Sequence, residues 1–155
     1  MKRYSTNEVL DKVFFNDGSL RDIYVLNVDL GDWQMFYEWI YLSGWGIKLY
    51  KDGLETVNEI KNVDKLFEGK EFHSILLSID IKGAALINCH FFSKDEMEFD
   101  VNPIEIKGLY EANAVFEFMS KLSSILGKEI FLTEENKPEH PLVTIKSDGT
   151  LTIHI

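Results

Sequence analysis

The segment Trp33-Gln34-Met35-Phe36-Tyr37-Glu38-Trp39-Ile40-Tyr41-Leu42 constrains this chain more than any other stretch of it. At 3.6 residues per turn it reads as a helix with Trp33, Phe36, Tyr37 and Ile40 on one apolar stripe and Met35, Trp39 and Leu42 on a second. A short helix does not need that much apolar surface on one side, so this one must enter a large core or meet a partner. Asp29 or Asp32 can cap its first turn, because a carboxylate oxygen accepts from N–H groups that have no helical partner there. Ser43-Gly44 ends it.

A core of adequate size is available. The chain has 155 residues, 45% of them hydrophobic, which fits one globular domain spanning 1–155. No repeat, low-complexity tract or Pro/Gly/Ser linker divides it. Sixteen basic residues against twenty-six acidic ones give a formal net charge of −10, which repels phosphate backbones and anionic lipid head groups. Nucleic acid and membrane are therefore not expected partners, and no run of residues approaches membrane-spanning length. Residues Met1–Glu8 are not followed by an apolar stretch of signal-peptide type, and the single Cys89 cannot form an internal disulfide. The expectation is a reduced, cytoplasmic protein.

Strand signals surround the aromatic helix. Glu8 to Phe15 reads as a short helix, Asn16-Asp17-Gly18-Ser19 as a turn, and Arg21 to Val28 as a strand rich in β-branched and aromatic residues. Ile47 to Tyr50 is a strand closing on the Asp52-Gly53 turn, and Leu54 to Gly69 reads as loop with a short helix near Asp64 to Glu68. Phe72 to Asp80 and Ala84 to Phe92 flank Lys82-Gly83. A three-residue loop, Ile81-Lys82-Gly83, would pair Ile79 with Ala85, Leu77 with Ile87 and Ile75 with Cys89, making one face uniformly apolar. Cys89 is then a core residue, and His90 points the other way. Ser147-Asp148-Gly149 likewise sets Ile145 opposite Leu151 and Val143 opposite Ile153. Tyr110 to Leu126 is an amphipathic helix with Gly127 as its C-terminal stop. The expected class is α+β: an antiparallel or mixed sheet with two main helices packed largely on one face.

Catalytic and metal signatures are missing from the pattern. His73, His90, His140 and His154 are scattered without metal-ligand spacing, and no nucleophile elbow, phosphate loop or dinucleotide fingerprint is present. No catalytic residue, cofactor or metal is expected. Cys89 and His90 are adjacent strand residues facing opposite ways, so they do not make a dyad. The carboxylates carry more information. In Asp95-Glu96-Met97-Glu98-Phe99-Asp100-Val101, alternation puts Glu96, Glu98 and Asp100 on one side of a strand and Met97, Phe99 and Val101 on the other. A row of like charges must face water or a cationic partner. Glu134 and Glu135 lie in a second acidic segment stiffened by Pro138 and Pro141. The second stripe of the aromatic helix is either covered by the N-terminal segment or exposed, in which case Trp39 and the nearby Trp45 are binding anchors.

This plan, with the aromatic first helix, the late amphipathic helix and Lys128-Glu129-Ile130-Phe131-Leu132-Thr133-Glu134-Glu135-Asn136 leading into a C-terminal hairpin, resembles the immunity proteins of bacterial polymorphic-toxin and contact-inhibition systems. The resemblance lies in layout. It implies a non-enzymatic inhibitor that binds a cognate toxin domain, often through acidic residues matched to a basic toxin. The partner-binding residues named on physical grounds are Trp39, Trp45, Glu96, Glu98, Asp100, Glu134 and Glu135. Two other readings compete. One is a ligand-binding or enzymatic domain with a pocket between the aromatic helix and the sheet, and the other is a homodimer that buries the aromatic helix in its own contact.

Overall fold

The computed structural model describes residues 5–56, 62–67 and 74–154. The strand start expected at Phe72, with His73, lies outside the described residues, as do positions 57–61, 68 and 69 of the expected loop. In chain order the elements are α1 (Thr6–Lys12), β1 (Arg21–Leu26), α2 (Leu30–Leu42), β2 (Gly46–Lys51), β3 (Leu54–Thr56), β4 (Ile75–Ile81), β5 (Ala85–His90), β6 (Glu96–Val101), α3 (Leu109–Leu126), β7 (Ile130–Glu134), β8 (Pro141–Ile145) and β9 (Leu151–Ile153). Short 3-10 turns sit at Val63–Phe67 and Pro103–Glu105. The strands form one sheet in the order β3-β2-β4-β5-β6-β1-β7-β8-β9. Every pairing is antiparallel, so the class is α+β and the mixed-sheet alternative falls away.

Strict alternation along the central strands creates the core. Met97, Phe99 and Val101 of β6, Ile23 and Val25 of β1, Ile87 and Cys89 of β5, and Leu77 and Ile79 of β4 are all fully buried on one face. Helices α2 and α3 cover that face. The Phe99 ring meets Phe36 of α2 at 5.3 Å and Phe118 of α3 at 5.4 Å, both close to edge-on. Such edge-to-face pairs add about 0.5–1.5 kcal/mol to the area they bury.

Both candidate caps of α2 are used. Asp29 Oδ1 accepts from the Asp32 N–H at 2.9 Å, and Asp32 Oδ2 accepts from the Asp29 N–H at 3.1 Å, which closes a capping box. The stripe Trp33, Phe36, Tyr37 and Ile40 is buried as expected. The second stripe divides: Met35 is 43% and Leu42 is 87% exposed, whereas Trp39 packs edge-on against Trp45 and lies against Phe118, both at 5.6 Å. The cover on Trp39 thus comes from Trp45 and α3. The N-terminal segment goes elsewhere, with Phe14 against Phe116 of α3 at 5.8 Å.

That segment is held by one buried cation. Arg21 is fully buried, and its guanidinium donates to the carbonyls of Val13 (2.7 Å), Phe15 and Leu20 (3.0 Å) and to Ser19 Oγ (2.9 Å), with the Asp17 carboxylate 3.5 Å away. A buried charge persists only when it is paired and hydrogen-bonded in this way.

The C-terminal hairpin has the expected register, Ile145 opposite Leu151 and Val143 opposite Ile153. The β4–β5 hairpin does not: Ile79 faces Ile87, Leu77 faces Cys89, and Ile81 faces Ala85, two residues from the expected pairing. Lys82 and Gly83 both take positive φ, 55° and 68°, which moves the turn along by one residue, and the Ala84 N–H closes it on the Ile81 carbonyl at 2.8 Å. An even shift leaves the faces unchanged, so Cys89 stays in the core and His90 points away from it. Strand β3, in a stretch expected as loop, pairs with β2 across Asp52-Gly53.

Replacing Phe99 with alanine should cost about 3–5 kcal/mol of stability in urea unfolding. Leu42→Ala on the solvent side of α2 should change it by no more than about 0.5 kcal/mol. Equal effects would show that the three rings do not form the centre of the core.

Candidate functional site

The same alternation that buries Phe99 turns Glu96, Glu98 and Asp100 to the other face of the sheet, on which no helix packs among the described residues. The registers of β5, β6 and β1 then set two rows of polar side chains side by side. Asn88 faces Asp100, which faces Asp22, and His90 faces Glu98, which faces Tyr24. Hydrogen bonds connect them. Ser78 Oγ donates to Asn88 Oδ1 at 3.1 Å, and Asn88 Nδ2 donates to Asp100 Oδ1 at 3.2 Å. Asp100 Oδ2 lies 2.5 Å from His90 Nε2. The Tyr24 hydroxyl lies between two carboxylates, 3.1 Å from Asp22 Oδ2 and 3.3 Å from Glu98 Oε1.

Loop 135–140 borders the cluster. The Asn136 N–H donates to Asp22 Oδ2 at 2.7 Å, and Glu135 Oε1 accepts from the Leu20 N–H at 2.7 Å. On the other side Phe92, 71% exposed, stacks on the His90 ring at 4.8 Å and an interplanar angle of 7°. An exposed aromatic, stacked on His90, therefore stands beside the carboxylates.

Burial and mutual repulsion set the charge state of this face. Asp22 is pushed above its ordinary value by desolvation, with the charges of Asp100 and Glu135 adding to the effect. Glu98 is raised by its own desolvation and by Asp22. Tyr24 is raised too, first by burial and then by the two carboxylates it touches, so it stays a neutral donor. Desolvation alone would lower His90, but the Asp100 hydrogen bond and charge, with Glu98 and Asp22 behind it, raise it overall.

As chemistry, this is a hydrogen-bonded acidic patch with one imidazole bound into it. His90 is engaged by Asp100 and Phe92, and Cys89 lies across the sheet with its thiol pushed up by burial. Among the described residues no three His, Cys, Asp or Glu side chains converge as metal ligands do.

The residues expected to bind a partner fall into separate places. Glu96, Glu98 and Asp100 share the uncovered face, and Glu135 flanks it beside Asp22. Glu134 ends β7 and lies 3.7 Å from the Lys137 ammonium. Trp39 and Trp45 are half-buried in the helix layer with Phe118, on the far side of the sheet from the carboxylate row. An anchor formed jointly by the tryptophans and the carboxylates is therefore not present. Sequence reading passed over Asp22, Tyr24, Asn88 and Phe92, although the alternation in Arg21-Asp22-Ile23-Tyr24-Val25 already turns Asp22 and Tyr24 together to one side.

Surface cavities lie among the described residues. One of about 660 Å³ lies at the β4–β5 hairpin tip, one of about 290 Å³ adjoins it over β2 and β4, and one of about 300 Å³ lies between Leu26 and Phe131. These three are lined by residues outside α2. No helix among the described residues is long and apolar enough to cross a membrane. Comparison with protein-family models, curated proteins and solved structures finds no match.

Asp22, Glu98 and His90 each hold a proton more tightly in the fold than their ordinary values of 3.8, 4.5 and 6.5 allow. Each contribution thus favours the fold at low pH and is lost as pH rises through the raised value. Asp17, Glu117 and Asp148 are held low by hydrogen bonds and have ionised before that window is reached. The urea midpoint should therefore fall as pH rises above the ordinary histidine value of 6.5. Glu98→Gln should raise the midpoint at pH 8, and a flat or rising profile in the parent chain would contradict this account of the face.

Proposed function

We propose that this chain is a non-enzymatic protein-binding domain of the immunity type, which neutralises a cognate bacterial toxin by covering its active site or substrate groove. The uncovered sheet face is its contact surface. The observation that carries the reading is the carboxylate cluster itself: the buried Asp22 and the partly exposed Glu98 and Asp100 are drawn together on a face that no helix covers among the described residues, and two of them are held above their usual range. Arg or Lys side chains from a partner would relieve that repulsion on docking, which converts an unfavourable feature of the free protein into binding energy.

The whole-chain charge of −10 supports the same reading, because it speeds encounter with a basic partner. Phe92 supplies the aromatic contact that the sequence had assigned to Trp39 and Trp45. It is exposed, stacked on His90 and adjacent to the carboxylates, so little side-chain freedom is lost when a partner covers it.

The test is co-expression with the toxin domain encoded beside this chain's own gene, followed by isolation of the pair. Growth rescue and a stable complex are expected. Association should slow on the order of tenfold between about 0.05 and 0.5 M salt, and the Glu96→Lys/Glu98→Lys double variant should slow it similarly at low salt. Salt-insensitive association, or a double variant that binds as the parent does, would defeat the assignment of this face.

A further inference from the structure

We propose that the groove at the tip of the β4–β5 hairpin receives an extended segment of the basic partner, one that carries an apolar side chain between Lys or Arg residues. The inference rests on the protein-binding reading above and places a second contact region beside the carboxylate cluster. Leu86, Ile104 and Tyr110 are 38%, 59% and 66% exposed, and all three line the cavity of about 660 Å³. Singly exposed apolar residues are ordinary, but three gathered in one concavity form a local apolar seat for a side chain.

The groove is built before any partner arrives. Its apolar walls come from three elements, β5, the Pro103–Glu105 turn and the first turn of α3. The Leu86 N–H donates to Glu105 Oε2 at 3.0 Å and ties β5 to the turn. Asn102 Oδ1 caps that turn by accepting from the Ile104 N–H at 3.1 Å, with Pro103 fixing its start. A surface with little freedom left to lose binds with less entropic cost.

Charge selects the occupant. Asp80, Glu105 and Glu111 line the cavity against the single cation Lys107, and none of these carboxylates is ion-paired among the described residues. Lys107 and the first turn of α3 would favour an anion, but three carboxylates outweigh them. The cavity of about 290 Å³ shares Asp80 and Leu86 with the first and continues to Lys48, Tyr50 and Ser78, so across both cavities three carboxylates stand against two lysines. Ser78 is bonded to Asn88 and, through it, to Asp100. The apolar concavity at the hairpin tip and the recess beside the polar network therefore share a border at Asp80 and Leu86, so an occupant longer than one side chain can reach both.

The probe is a synthetic hexapeptide, Lys-Lys-Leu-Phe-Lys-Lys, blocked at both ends and titrated into the ¹⁵N-labelled full chain, with Glu-Glu-Leu-Phe-Glu-Glu as its comparison. Amide shifts should centre on Leu86, Ile104 and Tyr110, and the acidic peptide should bind about tenfold more weakly or not at all. Ile104→Ser and Tyr110→Ser, at exposed positions, should each weaken the basic peptide about fivefold, whereas Leu42→Ala, on the solvent side of α2, should leave it within about twofold. Shifts centred on His90 and Glu98, equal binding of both peptides, or no binding would overturn the proposal. If the peptide binds here but no toxin associates, the functional reading alone fails. If toxin associates and the Ile104 and Tyr110 variants bind it and the peptide as the parent does, the groove alone fails.

Discussion

The contact of the Phe99 ring with Phe36 and Phe118 is the point at which the sheet and both long helices become one core. Its consequences extend to the opposite face. Because strand side chains alternate, holding Phe99 inward forces Glu98 and Asp100 outward, and the antiparallel registers bring Asp22, Tyr24 and His90 into line with them. A one-residue slip of β6 would turn three carboxylates, Glu96, Glu98 and Asp100, toward the helices, and burying them unpaired costs an amount comparable to the net stability of a domain. The acidic face is therefore specified as firmly as the hydrophobic one, by the same rings.

That face is also where the fold departs from its own stability optimum. Three carboxylates bonded to one imidazole and one phenol are an arrangement that burial and repulsion both oppose. The protein limits the cost with Asn88, Tyr24 and the Asn136 N–H, each of which donates to one of the acids. Binding surfaces commonly hold strain of this kind, because a partner that removes it gains the difference. Arg21 offers a contrast within the same strand: its guanidinium faces the core with backbone acceptors around it and is fully compensated in the free chain.

How much of this could be read from the residues depended on how local the determinant was. Helices α2 and α3, their caps and the register of the C-terminal hairpin follow from periodicity and from Asp29, Gly127 and Gly149 acting over a few residues. The β4–β5 register was misread by two because Lys82 adopts a left-handed backbone that side chains other than glycine seldom take, and nothing in the neighbouring sequence signals it. Strand β3 is three residues long with a weak apolar pattern, so it was lost against its loop. The carboxylate row was legible from alternation in β6 alone. Its partners Asp22 and Tyr24 join it only through sheet order, and the cover on Trp39 depends on where α3 lands, neither of which a local pattern encodes.

Strand β1 lies between β6 and β7, the ends of two groups of strands that are otherwise close to consecutive in the chain. During synthesis one group can pair long before the other has emerged, while β1 waits with an unmatched edge. Bringing together residues as distant as Asp22 and Asn136, 114 positions apart, is a slow loop closure. The border that loop 135–140 gives the acidic face is consequently a late addition: a nascent chain halted before β7 has β1, β5 and β6 to align the carboxylates but lacks the Asn136 donor to Asp22.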